Sequence, residues 1–434
     1  MANEFANPGK TMASTCPACG GSLLFDAASG KLKCEYCDMM YTPEEVEKAW
    51  AEKMGKSNSA GAGAEDESGE VSREYEAQDF EEGEVMKSYS CSTCGAELMA
   101  DKNTAVMRCP YCGNETIVEA QFSGAIRPDY IIPFAQTKDK AVDKYHEFYG
   151  KRLLLPKSFK KSNHVQEIQG VYVPFWMFSG KVHLDGSYIA YDEEEDSKGN
   201  KRKTDRFEVH RRASLDYENV PVDASVRMED DLMDSVEPYE LKGLKDFSMV
   251  YLPGFMAERY DVSEEDSRVR GHERAQGSIK DEVRKTIKHD GIEEAKEDFR
   301  FENESTKYAL LPVWLLVTKW KDKTYKFAMN GQTGRMVGDL PVSAFKLTVS
   351  VLLIFLAVAF AVIGIAGQEV SSGLLAGFVI ALIAGIAMYS SMKSVAKATT
   401  ARRYITAPLV LKFQDEQKIG SFKARKIKKE MKGQ

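Results

Sequence analysis

The 434-residue chain has no GxGxxG, HExxH or GxSxG stretch. A dinucleotide fold, a zincin-type protease and a nucleophile-elbow hydrolase are therefore not expected. Histidine is scarce: His146, His164, His183, His210, His272 and His289 stand singly, without a motif partner to make any of them a general base. Gly9-Lys10-Thr11 ends like a phosphate loop, but Glu4 occupies the position where the earlier glycine is required. There is no basic excess either, with Lys+Arg 59 against Asp+Glu 66 and a formal charge of −7, which disfavours a dominant nucleic-acid binder. Met1–Lys10 has no apolar core, so no signal peptide is expected. A hydrophobic share of 43% with 10% aromatics excludes a collagen-like or wholly disordered chain.

What is present is cysteine in one arrangement. All eight cysteines fall in CxxC pairs: Cys16/Cys19, Cys34/Cys37, Cys91/Cys94 and Cys109/Cys112. Within each half, 14 residues separate the pairs, and the second half repeats the first at an offset of 75, with Gly20/Gly95, Leu23/Leu98, Asp26/Asp101 and Tyr36/Tyr111 also shared. This is a tandem duplication. Two CxxC turns joined by a hairpin can bring four thiolates to one tetrahedral ion at about 2.3 Å. The spacing predicts two zinc ribbons, each a structural Cys₄ site whose closed shell leaves no position for a reactive water. Gly20 and Gly95 follow a CxxC, where a tight turn often needs positive φ. Charges between the outer cysteines balance in each ribbon, Lys31 and Lys33 against Asp26 and Glu35, then Lys102 and Arg108 against Glu97 and Asp101. That favours protein contact or a purely structural role over phosphate binding, with nucleic acid as the alternative.

The first ribbon leads into Thr42-Pro43-Glu44-Glu45, a capping box with proline at the first helical position. Residues 1–54 are expected to form this ribbon and a short helix, 55–88 an acidic flexible linker, and 89–120 the second ribbon. Residues 121–342 form a strand-rich α+β module. Four apolar-Pro clusters punctuate it: Ile132-Pro133-Phe134, Val173-Pro174-Phe175-Trp176, Leu252-Pro253-Gly254-Phe255 and Leu311-Pro312-Val313-Trp314. They suggest two pseudo-repeated half-units, about 125–195 and 250–340, with the aromatics in the core, or else a coincidence of common dipeptides. Proline is expected at a strand's first residue or on an edge. Lys138–Leu154 and Glu264–Ile287 read as helices, the second opened by the capping box Ser263–Asp266. Asn330-Gly331 reads as a hairpin turn.

Leu347–Ala366 and Gly373–Met392 carry no Asp, Glu, Lys or Arg, and each is long enough for about 30 Å of hydrocarbon. They are expected to form a transmembrane hairpin over 345–392. Arg335, Lys346, Lys393, Lys397, Arg402 and Arg403 flank it, and the turn carries only Glu369. Positive-inside then places both termini in the cytoplasm, in a two-span protein of the cell (inner) membrane. Small residues at Gly373, Gly377, Ala381 and Gly385 suit close helix packing, for closure of the hairpin or lateral association. The basic tail, 393–434, has twelve basic residues against three acids and is read as attracting anionic lipid, as a solvated tail, or as binding the acidic linker.

The expected fold class is thus multidomain: two small β zinc ribbons, an α+β module with two pseudo-repeated halves, and a C-terminal two-helix transmembrane hairpin. Paired CxxC ribbons, Val173–Trp176, Glu237-Pro238-Tyr239, Tyr251–Tyr260, Leu311–Trp314 and Phe327–Gly334 together resemble the bacterial TFIIB-type zinc-ribbon membrane proteins, often labelled primosomal-helicase-like. No helicase motor motif accompanies them. The resemblance implies an adaptor associated with phage-shock-type envelope-stress proteins. The expectation is a membrane-anchored, non-enzymatic zinc adaptor that docks cytoplasmic or membrane proteins and contacts the lipid bilayer. The alternatives are a membrane-tethered nucleic-acid binder and an enzyme housed in the α+β module.

Overall fold

The computed structural model describes residues 16–58, 86–91, 95–101, 109–111, 117–120, 127–150, 152, 154–161, 168–195, 201–227, 230–321, 323–366, 370–390 and 404–423. Most of the expected acidic linker lies outside them, as do Cys94, Cys112 and His164. The chain divides into two compact units built from interleaved segments. The first comprises Met1–Phe175, Asp223–Val262 and Tyr308–Lys397, and the second Trp176–Val222, Ser263–Lys307 and Ala398–Gln434.

In the first unit a three-stranded sheet holds β1 (Leu23–Asp26), β2 (Lys31–Cys34) and β3 (Met40–Tyr41) in that order. Leu23 and Leu32 are fully buried within it. Helix α1 (Pro43–Asn58) follows, and its start is the expected capping box. The Thr42 N–H donates to Glu45 Oε2 at 2.8 Å, and the Glu45 N–H donates to Thr42 Oγ1 at 3.2 Å.

The second repeat supplies β4 (Met86–Cys91), β5 (Glu97–Asp101) and β6 (Ile117–Ala120), with β4 paired to both others. After it come β7 (Tyr130–Ile131), α2 (Lys138–Gly150), α3 (Lys157–Lys161), β8 (Gln169–Glu195), β9 (Lys201–Asp223) and α4 (Asp230–Val236). Next are β10 (Lys245–Asp246), β11 (Met256–Glu258), α5 (Glu264–Arg284), β12 (Gly291–Trp320), β13 (Lys323–Asn330) and β14 (Met336–Gly338). Strand β11 joins the second repeat to the rest of its sheet. It runs parallel to β8, with Met256 opposite Val171, and antiparallel to β5, with Met256 opposite Ala100.

Three of the four apolar-Pro clusters converge in one aromatic core. Phe134 stacks on Phe255 at 4.1 Å, and Trp314 meets both edge-on at 5.2 and 6.0 Å. Each buried ring contributes on the order of 1.5–3 kcal/mol. Gly170 leaves room for this stack, since a Cβ there would lie 2.6 Å from the Phe255 ring. Pro174 and Pro312 sit inside β8 and β12 and not at the first residue of either strand, one of the two places expected. Their carbonyls accept from the Ala224 and Gly331 N–H groups, at 3.0 and 2.8 Å. The Asn330-Gly331 turn connects β13 to β14, and Asn330 is fully buried. Its Oδ1 accepts from the Gln332 and Thr333 N–H groups, while Nδ2 donates to the Val236 and Pro238 carbonyls at 3.2 Å.

In the second unit β9 pairs with β8 and with β15 (Val410–Lys423). Part of the expected basic tail is therefore a sheet strand, paired from Val410 opposite Ser214 to Lys423 opposite Lys203 with register shifts after Leu411 and Lys418. Helix α5 begins at Ser263, whose Oγ accepts from the Asp266 N–H at 3.1 Å, and it buries Ala275, Ile279 and Val283.

The expected fold class needs correction at the C-terminal hairpin. Helices α6 (Ala344–Ala366) and α7 (Val370–Ser390) do pack on each other, with Gly377 set against the Phe355 carbonyl and Ala359. Among the described residues, however, one helix is long and apolar enough to cross a membrane, through Ala344–Ala361, of which 6% is buried. The apolar stretch in α7 is Gly377–Ala387, short of the roughly 20 residues a span requires. The described residues form a β-rich fold in two units, and among them a two-helix transmembrane hairpin is not supported. The localisation as a two-span membrane protein falls with the hairpin.

Candidate metal centre

Cys16, Cys19, Cys34 and Cys37 come together as the repeat spacing requires. Their sulfurs all lie within 4.8 Å of one another, with Cys16–Cys37 at 3.7 Å and Cys19–Cys34 and Cys19–Cys37 at 3.5 Å. A tetrahedron of thiolates at about 2.3 Å from one ion has edges of about 3.8 Å. The donor set therefore fits a metal ion and is compatible with zinc. Cys16 and Cys34 are buried, while Cys19 and Cys37 are exposed. The Tyr41 hydroxyl lies 3.5 Å from the Cys16 sulfur.

Backbone geometry holds the sulfurs in place. In the first knuckle the Cys16 N–H donates to the Gly21 carbonyl at 2.7 Å and the Gly20 N–H to the Cys16 carbonyl at 2.9 Å, with Gly20 at φ +73°. The second knuckle repeats this at Cys34 N–H to Met39 carbonyl (2.9 Å) and Asp38 N–H to Cys34 carbonyl (3.1 Å), with Asp38 at φ 54°. At the offset of 75, the Cys91 N–H donates to the Ala96 carbonyl at 2.9 Å and the Gly95 N–H to the Cys91 carbonyl at 2.8 Å, with Gly95 at φ +68°. The duplication read from cysteine spacing is thus a duplication of the turn. Cys91 and Cys109 are both buried. The remaining two candidates, Cys94 and Cys112, lie outside the described residues, so four ligands are assembled in the first repeat alone among those described.

A second polar group escaped the sequence reading. Tyr111, between Cys109 and Cys112, is buried and donates its hydroxyl to Glu258 Oε2. Ser225 Oγ donates to Glu258 Oε1 at 2.8 Å. Burial pushes the Glu258 carboxyl up to about 8, against the pull of these two hydroxyls and of Arg227. Burial, reinforced by Glu258, drives Tyr111 well above the ordinary phenol range. Beside them a cavity of about 240 Å³ is lined by Glu97, Arg227, Glu258, Arg259, Tyr260 and Asp261. Arg227 pairs with Asp261 at 3.2 Å and donates to the Gly95 carbonyl at 2.9 Å, and Arg259 pairs with Glu97 at 3.3 Å. The available signals were the acid closing the apolar run Phe255-Met256-Ala257 and the repeated tyrosine; neither names the other as partner.

No histidine lines that cavity. On the second unit His183 faces Glu302, His272 faces Glu304, and His289 lies between Asp192 and Glu416.

The fold and the cysteine cluster define a β-rich protein with four cysteines placed to hold a metal ion. The chain is 32% identical over 335 residues to the uncharacterized protein YdjG of Bacillus subtilis (strain 168), across 76% of this chain and 90% of that protein, and it belongs to the same family. No protein-family model matches the chain, and no solved structure matches it.

Proposed function

We propose that this protein is a zinc-stabilised, non-enzymatic docking scaffold, whose ribbons hold partner proteins. The observation that carries this reading is the closed cluster of Cys16, Cys19, Cys34 and Cys37, whose four sulfurs fill a tetrahedral shell. An ion held there organises the chain and keeps no position for substrate or activated water. The balanced charge of each ribbon supports protein over nucleic acid as the partner.

The test is affinity purification of the full chain with metal analysis of the product. Stoichiometric zinc and a stoichiometric protein partner are expected. Metal-free protein overturns the zinc assignment. A product carrying nucleic acid in a steeply salt-dependent complex, or no partner at all, overturns the scaffold.

A further inference from the structure

We propose that Tyr36, Met39 and Met40 form a docking surface for a second protein, which presents an extended apolar segment carrying a side-chain oxygen that accepts the Tyr36 hydroxyl. The inference rests on the scaffold function above and gives that function a surface and a partner chemistry.

Three large side chains within five positions are exposed, Tyr36 at 80%, Met39 at 51% and Met40 at 41%, while Leu23, Phe25 and Leu32 of the same ribbon are buried. Aromatic residues and methionine are enriched in protein interfaces. The surface is also preorganised. Tyr36 lies between two cysteines of the cluster, and its ring rests on Gly21, where a Cβ would lie 2.6 Å from Tyr36 Cδ2. Lys33 and Asp38 bridge at 3.0 Å and supply a polar rim. A surface already ordered by its metal loses little conformational freedom on binding.

The duplication indicates what covers such a surface. Tyr111 is the same tyrosine one repeat later, and it is 3% exposed. Its hydroxyl donates to Glu258, which ends the short extended run Met256-Ala257-Glu258. That run adds antiparallel to β5 of the second repeat, with Glu258 opposite Leu98. The first repeat uses the same connection differently: the Phe25 N–H donates to the Pro253 carbonyl at 3.0 Å, and Phe25 packs on Tyr251 and Phe255. Tyr36 is left outside this contact. The positions equivalent to Met39 and Met40 are Asn114 and Glu115. The first ribbon is therefore apolar where it is exposed and where its duplicate carries polar residues, which suits a face that a partner covers.

The probe is a synthetic peptide of residues 252–262, the segment that carries the Tyr111 partner Glu258, titrated into the zinc-loaded full chain. Saturable binding is expected, weakened about fivefold or more by Glu258→Leu in the peptide. Tyr36→Phe in the protein should remove that discrimination and leave zinc content unchanged. No binding, or discrimination that survives Tyr36→Phe, overturns the proposal. A partner recovered with the unsubstituted chain should be lost with Tyr36→Ala, and its retention also overturns the proposal. If the peptide fails while a stoichiometric partner is still recovered, the surface is wrong and the scaffold stands. If no partner is found, the scaffold itself falls, whatever the zinc content.

Discussion

The two cysteine repeats share a knuckle and differ in what surrounds it. In the first, three short strands close on themselves, and the organising contacts converge on four sulfurs within 4.8 Å. In the second, β5 is built into a larger sheet through β11, Arg227 reaches the Gly95 carbonyl, and Tyr111 is buried on Glu258. The same local turn thus serves in a separate three-stranded sheet, joined to the rest of its unit at Phe25, and in a ribbon paired into the larger sheet. A ribbon whose strands pair only with one another should depend more on a bound ion for stability than one paired into a larger sheet.

The largest effect separating them is expected from cysteine loss. Cys34→Ser should lower metal content by one ion per chain and remove hydrogen-exchange protection across residues 16–58, because metal binding by small zinc domains is worth on the order of 10–16 kcal/mol. Cys91→Ser should leave protection in β5, which pairing with β11 maintains. Equal loss of protection in both variants would abolish the distinction.

Next comes the pH dependence of the second repeat. Glu258 is raised from 4.5 to about 8 in the folded chain, so the native state keeps a proton that the unfolded chain releases between those values. Stability is full below about 4.5 and is lost as pH rises through about 8, by up to about 1.4 kcal/mol per pH unit within that window. Urea denaturation at about pH 5 and pH 8 should show this fall, and Glu258→Gln should flatten it.

A smaller contrast lies between the equivalent tyrosines. Tyr111→Phe strips a buried hydrogen bond from Glu258 and should cost about 1–3 kcal/mol. Tyr36→Phe should change stability by less than about 0.5 kcal/mol. The smallest difference is expected at the glycines. Gly20 and Gly95 share positive φ, and an added Cβ meets nothing closer than 3.9 Å at either. Alanine at each should cost about 1 kcal/mol from backbone strain alone, equally in both repeats. Unequal costs, measured by denaturation, would show that the knuckles are not equivalent.

Local features were legible in the sequence. The capping boxes at Thr42 and Ser263, the Asn330 turn and the cysteine knuckles each depend on residues within a few positions of one another. The aromatic clusters were correctly read as core, but not that Phe134, Phe255 and Trp314 meet, nor that Pro174 and Pro312 sit inside long strands. The expected hairpin failed because absence of charge was taken for length of apolar helix. Val410–Lys423 was read as part of a tail because its charges, counted along the chain, conceal its pairing with β9.

The sequence by itself determined the duplication, the four-cysteine grouping of the first repeat and the turns that present it, since these follow from spacing and from the few conformations a short turn can adopt. Only the tertiary structure decided which repeat keeps a sheet of its own and which joins the larger sheet. That outcome depends on Glu258, 147 residues beyond Tyr111. A contact across that separation leaves no mark in the local sequence around either residue.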